Sequence, residues 1–76
     1  MPTVPRETAS LAHAFEAAIG RPLVSVSEAA KLTGLGRTWI EREIRCGSIR
    51  SHRPGATGNY RIRCTDLAEW VTRVNP

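Results

Sequence analysis

The sequence predicts a mainly α fold with a small two-stranded β-hairpin, and three observations carry that expectation. Apolar residues recur at helical spacing in three separate runs: Leu11, Phe15 and Ile19; Ile40 and Ile44; and Leu67, Trp70, Val71 and Val74. Turn formers crowd into Pro54-Gly55-Ala56-Thr57-Gly58-Asn59, between two short extended runs. A Ser25-Val26-Ser27-Glu28 segment has the spacing of a capping box and stands at the head of a further short helical run.

With 76 residues, 41% of them hydrophobic, the chain supports one domain with a thin core. No stretch approaches the ~20 apolar residues of a membrane span, and no signal-peptide core is present, so a cytoplasmic protein is expected. Cys46 and Cys64 lack the spacing of a zinc site, and His13 and His52 are too scattered to complete one. Both cysteines read as reduced small hydrophobes. No metal, cofactor or small-molecule ligand is expected. No nucleophile–base pair or phosphate loop is legible either, so no catalytic residue is assigned and the protein reads as a non-enzyme.

Taken in order, residues 1–22 form an arm and an amphipathic helix. The arm, Met1 to Pro5, has no pattern. The helix runs from about Arg6 to Ile19, with Leu11, Phe15 and Ile19 on one stripe, Ala14 and Ala18 filling it, and Gly20 and Pro22 as its stop. Such a helix is marginal alone, so its stripe must dock on the rest of the domain or on a second copy; docking within the chain is the expectation.

Residues 23–76 form the second unit. Leu23-Val24 is a short extended lead-in, followed by the Ser25-capped helix to about Thr33. Gly34-Leu35-Gly36 makes a tight turn, Leu35 plugging the corner and Gly36 taking the N-cap of the next helix. That next helix ends at Gly47, placed as a C′ glycine. Two short helices joined this way describe a helix-turn-helix. Ile49 to Arg53 and Tyr60 to Arg63 then flank the turn-rich loop as a basic hairpin, a wing. The alternation Tyr60-in, Arg61-out, Ile62-in, Arg63-out is that of a half-buried strand. Cys64-Thr65-Asp66 reads as a strand end with Asp66 as N-cap of a closing helix, in which Trp70 belongs to the core.

The helix after the turn is the chemical centre. On a wheel of about 100° per residue, Ile44 falls about 40° from Ile40, while Thr38, Arg42 and Arg45 lie about 140–200° away from Ile40. Glu41 is a shoulder, and Trp39 lies about 100° off on the other flank. The charge is concentrated on the same stretch. Residues 1–34 net zero and residues 64–76 net −1, whereas residues 35–63 hold seven Arg against two Glu. Arg offers a planar fork suited to phosphates and guanine edges, so this block is an electrostatic footprint for nucleic acid. An acidic protein surface would attract it too.

From Leu23 to Val71 the chain resembles the excisionase and MerR-like winged helix-turn-helix DNA-binding domains. The resemblance rests on Val26-Ser27-Glu28-Ala29-Ala30-Lys31-Leu32-Thr33-Gly34-Leu35, on Arg37-Thr38 with Ile40, and on Ile44-Arg45-Cys46-Gly47-Ser48-Ile49. It resumes at Tyr60-Arg61-Ile62-Arg63 and at Asp66-Leu67-Ala68-Glu69-Trp70-Val71. The departures are Gly36, where that family usually has Ser or Thr, Glu41, where an aromatic is common, and a longer loop. The N-terminal helix lies outside the resemblance.

The resemblance implies a winged helix-turn-helix, here preceded by the extra helix read from the pattern of residues 6–19, with the second helix of the motif in the major groove and the wing on the minor groove or backbone. Thr38, Glu41, Arg42 and Arg45 would then face base edges, and Arg37 either a base or a phosphate. Arg50, Arg53, Tyr60, Arg61 and Arg63 would hold backbone or minor groove. Glu41 either accepts from a cytosine amino group or repels phosphate. Trp39 either packs beneath the N-terminal helix or presses on a sugar or base at the groove edge. The expected role is a DNA-binding and DNA-bending excisionase, a recombination directionality factor of a phage or mobile element. It would act on double-stranded DNA with an integrase, several copies binding cooperatively, associated with the nucleoid. A small transcription regulator is the alternative within DNA binding, and a protein-interaction module for an acidic partner the alternative outside it.

Overall fold

The computed structural model describes residues 6–52 and 60–74. Arg53 and the loop from Pro54 to Asn59 lie outside the described residues, as does the Val74 side chain. The order is α1 (Arg6–Ile19), β1 (Leu23–Ser25), α2 (Val26–Thr33), α3 (Arg37–Arg45), β2 (Arg61–Arg63) and α4 (Cys64–Val74). The mainly α class with a two-stranded antiparallel sheet is thus realised.

The helix-turn-helix forms where its local signals stand. Ser25 caps α2 through its hydroxyl, which accepts from the Glu28 amide at 3.1 Å, and the Glu28 carboxylate accepts from the Ser25 amide at 2.8 Å. Gly34 closes α2 in the left-handed region at φ 74°, its N–H donating to the Ala30 carbonyl. Leu35 packs half-buried against the core at the corner.

The strand pairing differs from the expected wing hairpin. β2 pairs with β1, with Leu23 opposite Arg63, Val24 opposite Ile62 and Ser25 opposite Arg61. The expected hairpin pairing is present, among the described residues, at His52, through two backbone hydrogen bonds to Arg61 of 2.7 and 2.6 Å. The reason lies in side chains. Val24 and Ile62 face each other fully buried, whereas Arg50, Ser51 and His52 are exposed and bring no apolar residue to a second pairing. Ile49 is spent on the core instead.

The closing helix also starts earlier than expected. α4 begins at Cys64, whose amide donates to the Pro22 carbonyl at 2.8 Å, so Asp66 is a first-turn acid rather than the N-cap. The core gathers Trp70, Ile40, Ile49, Ile62, Leu67 and Val24, one or two from each element of the 23–74 stretch except α2, which adds Val26 and Ala29.

α1 docks in cis, chiefly on α4. Its buried line is Thr8, Ala12 and Phe15, while Leu11 and Ile19 are half-buried and Ala14 and Ala18 are exposed. The stripe is therefore rotated from the expected one. Alanines sit on every side of this helix, so its own pattern scarcely distinguishes faces. The partner does, and the Thr8 hydroxyl meets that of Thr72 on α4 at 3.2 Å.

Candidate nucleic-acid interface

α3 is anchored by two isoleucines. Ile40 and Ile44 are buried, and Arg37, Thr38, Arg42 and Arg45 are exposed. The helix starts at Gly36 without a side-chain cap and ends in a Schellman motif. The Gly47 amide donates to the Ile44 carbonyl at 3.1 Å and the Ser48 amide to the Glu43 carbonyl at 2.9 Å, with Gly47 at φ 87°. Glu41 is half-exposed and lies 3.5 Å from the Arg37 guanidinium, one turn away, so part of each charge is neutralised in the free protein.

A second cationic group forms beside β2. Arg50, Ser51, His52, Arg61, Arg63 and Asp66 line one cleft of about 160 Å³. Arg61 and Arg63 share β2, and the His52–Arg61 bridge brings Arg50 beside them. Arg61 donates to the Tyr60 carbonyl at 3.3 Å, and Tyr60 itself is half-buried against the core. Asp66 puts one carboxylate into the basic cleft, which sequence reasoning treated only as a cap. Among the described residues, the side chains of Arg42, Arg45, Arg50 and Arg63 make no hydrogen bond or ion pair, so their guanidinium groups are available to a ligand. Arg53, the remaining expected wing contact, lies outside the described residues.

Trp39 is 40% exposed. Its ring stands edge-on to Trp70 of α4, with centroids 6.1 Å apart and planes at 82°. Both Trp39 and Trp70 thus take part in the α3–α4 junction. Glu43 was not singled out from the sequence, yet its carboxylate accepts from the Trp70 indole N–H at 3.3 Å. Its signal was available, four residues after Trp39 and therefore on the same flank. Arg73 of α4 donates to the Ser48 carbonyl at 2.6 Å, just past the end of α3.

The two cysteines part company. Cys64 is buried, and burial together with the Glu16 charge pushes its thiol up from the ordinary range. Cys46 is exposed beside Glu43 and Ser48, so the expectation of a small hydrophobe fails there. The last turn of α3 points this position outward, at the end of the same flank as Trp39. Among the described residues no helix is long and apolar enough to cross a membrane.

A family model described as a helix-turn-helix domain matches residues 23–74. Neither curated proteins nor solved structures provide a match. The matched span begins at β1 and leaves out α1, although Ala12 and Phe15 of α1 share the common core.

Proposed function

The chain belongs to the helix-turn-helix domain family, which implies DNA binding, and from that premise we propose that it is a non-catalytic excisionase that reads and bends double-stranded DNA. The observation that carries the reading is α3. It is anchored by Ile40 and Ile44, offers the side chains of Thr38, Arg42 and Arg45 on its outward side with no partner among the described residues, and is followed in the chain by an arginine-lined cleft. In this reading Thr38, Glu41, Arg42 and Arg45 meet base edges in the major groove, and Arg50, Arg61 and Arg63 hold phosphates. Arg37 takes a base or a phosphate once it leaves Glu41. The excisionase role itself is supported by the resemblance of residues 23–71.

A single module of this size buries roughly 600–1,000 Å² and reads few base pairs. Specificity then comes from several copies side by side on direct repeats, with the DNA bent between them and an integrase bound nearby. Action on DNA in this way places the protein on the nucleoid.

The test is a gel shift on DNA flanking the gene, in circular-permutation format so that bending is read at once. Wild-type protein gives a bent, cooperative complex, and Arg42→Ala with Arg45→Ala abolishes it. Binding that persists in the double variant refutes the groove assignment. Occupancy without bending indicates a transcription regulator. No duplex binding at all, with retention on an acidic protein, indicates the interaction module.

A further inference from the structure

Two α3 residues one turn apart grip the same α4 side chain. Trp39 sets its ring edge-on to Trp70 at 6.1 Å, and Glu43 accepts the Trp70 indole N–H at 3.3 Å. The α3 backbone packs mainly on α2, so α4 is reached through this indole rather than by close helix–helix approach. Trp70 is itself 1% exposed, packed in the middle of the core. The apolar stripe of α3 is narrow, with Ile40 and Ile44 alone, and two residues on one line leave rotation about the helix axis weakly determined. A second line of contact, about 60–100° around the helix from Ile40, removes that freedom.

We propose that Trp39, Glu43 and Trp70 form a clamp that sets the roll of α3, making them positioning residues for base discrimination rather than DNA contacts. The inference rests on the DNA-binding reading above. Thr38, Glu41, Arg42 and Arg45 project several bonds from the helix axis, so a small change in roll moves their polar tips away from base edges. The flexible arginines still find phosphates after such a change, because charge attraction tolerates displacement and paired hydrogen bonds to a base edge do not. Loss of the clamp therefore lowers discrimination and leaves the electrostatic part of binding in place. The indole N–H also needs a carbonyl-type acceptor: Gln at position 43 provides one and Leu does not.

The experiment begins with selection of wild-type protein on duplexes with a randomised core. Binding is then measured by fluorescence anisotropy for the recovered duplex and for its shuffled version, at one salt concentration and well below the melting temperature. Glu43→Leu, Trp70→Phe and Trp39→Ala each lower the ratio of the two affinities by about tenfold, the discrimination carried by one good base-edge contact. The affinity for shuffled duplex and its salt slope stay at wild-type values in Trp70→Phe and Trp39→Ala, and Glu43→Leu, which also removes an anion, binds shuffled duplex no more weakly than wild type. Glu43→Gln and Trp39→Phe retain the ratio. Phe15→Leu, which loosens α1 against α4 without touching the Trp39–Glu43–Trp70 group, lowers the melting temperature and leaves the ratio unchanged, separating positioning from simple destabilisation. A full wild-type ratio in Glu43→Leu and Trp39→Ala overturns the inference while the DNA-binding reading stands. A parallel loss on both duplexes, tracking the unfolded fraction and shared by Phe15→Leu, overturns it as well. Absence of duplex binding by wild-type protein overturns both.

Discussion

The ionic-strength dependence of DNA binding is the most direct quantitative consequence of the arginine placement. Arg50, Arg61 and Arg63 line one cleft, and in the proposed reading they would, with Arg53 and Arg37, make about five phosphate contacts. At about 0.9 counterion per phosphate, the slope of log K against log salt is about −4.5, so affinity falls about 500-fold between 50 and 200 mM. Arg63→Ala isolates one of these contacts. Its side chain is exposed and, among the described residues, makes no hydrogen bond or ion pair, so truncation leaves the backbone pairing intact and stability stays within about 0.5 kcal/mol. The slope becomes shallower by about 0.9 and the loss is the same on every duplex, because a phosphate carries no sequence. Glu41→Gln acts in the opposite direction. It releases Arg37 from its 3.5 Å ion pair and removes an anion beside the DNA, tightening low-salt binding. Its stability cost is only about 0.5 kcal/mol, since the pair is largely solvated. Anisotropy titration of a labelled mixed-sequence duplex across that salt range measures all three. A wild-type slope shallower than about −2, or an unchanged slope in Arg63→Ala, refutes the phosphate assignment.

Three further outcomes test the fold around the site. Gly34→Ala puts a Cβ into open space but forces a left-handed alanine at φ 74°, costing about 1–2 kcal/mol and lowering the melting temperature by about 4–16 °C, with Gly34→Asn costing less; equal melting of Gly34→Ala and wild type argues against the turn. Glu28 is held below the ordinary carboxylate range, chiefly by the Ser25 amide and then by Arg21. Its contribution is thus present above the unfolded value of about 4.3 and lost as pH falls through the folded one. Below about pH 5 wild-type melting drops more steeply than that of Glu28→Gln, and matching profiles refute this. An aromatic disulfide reagent modifies Cys46 rapidly in native protein and Cys64 only on unfolding, as burial and the raised thiol require; a single rate for both contradicts the placement.

Much of the motif was legible because its signals are local. Ser25 and Glu28 satisfy each other's amides within a single turn. Gly34 and Gly47 stand where the backbone takes positive φ, and Ile40 with Ile44 declares the inward side of α3. The arginine-rich stretch was equally visible. That Arg37 is shared with Glu41 follows from an i,i+4 spacing, and that Arg50, Arg61 and Arg63 share one cleft agrees with the basic hairpin expected there, which the His52–Arg61 bridge realises among the described residues. The pairing of β2 with β1 was missed because adjacent runs around a turn-rich loop suggest a hairpin. Backbone hydrogen bonds alone do not choose between the two edges, and a buried Val24–Ile62 pair does.

Sequence by itself determined the helix boundaries of the motif, its turn, the basic character of the stretch around α3 and the burial of Trp70, since each depends on neighbours within one or two turns or on composition. Tertiary structure decided which line of an alanine-rich α1 is buried, where α4 begins, and what meets the Trp39 flank of α3. Those outcomes depend on complementarity between segments far apart in the chain, as when Glu43 receives an indole N–H from 27 residues away, and no local period encodes it.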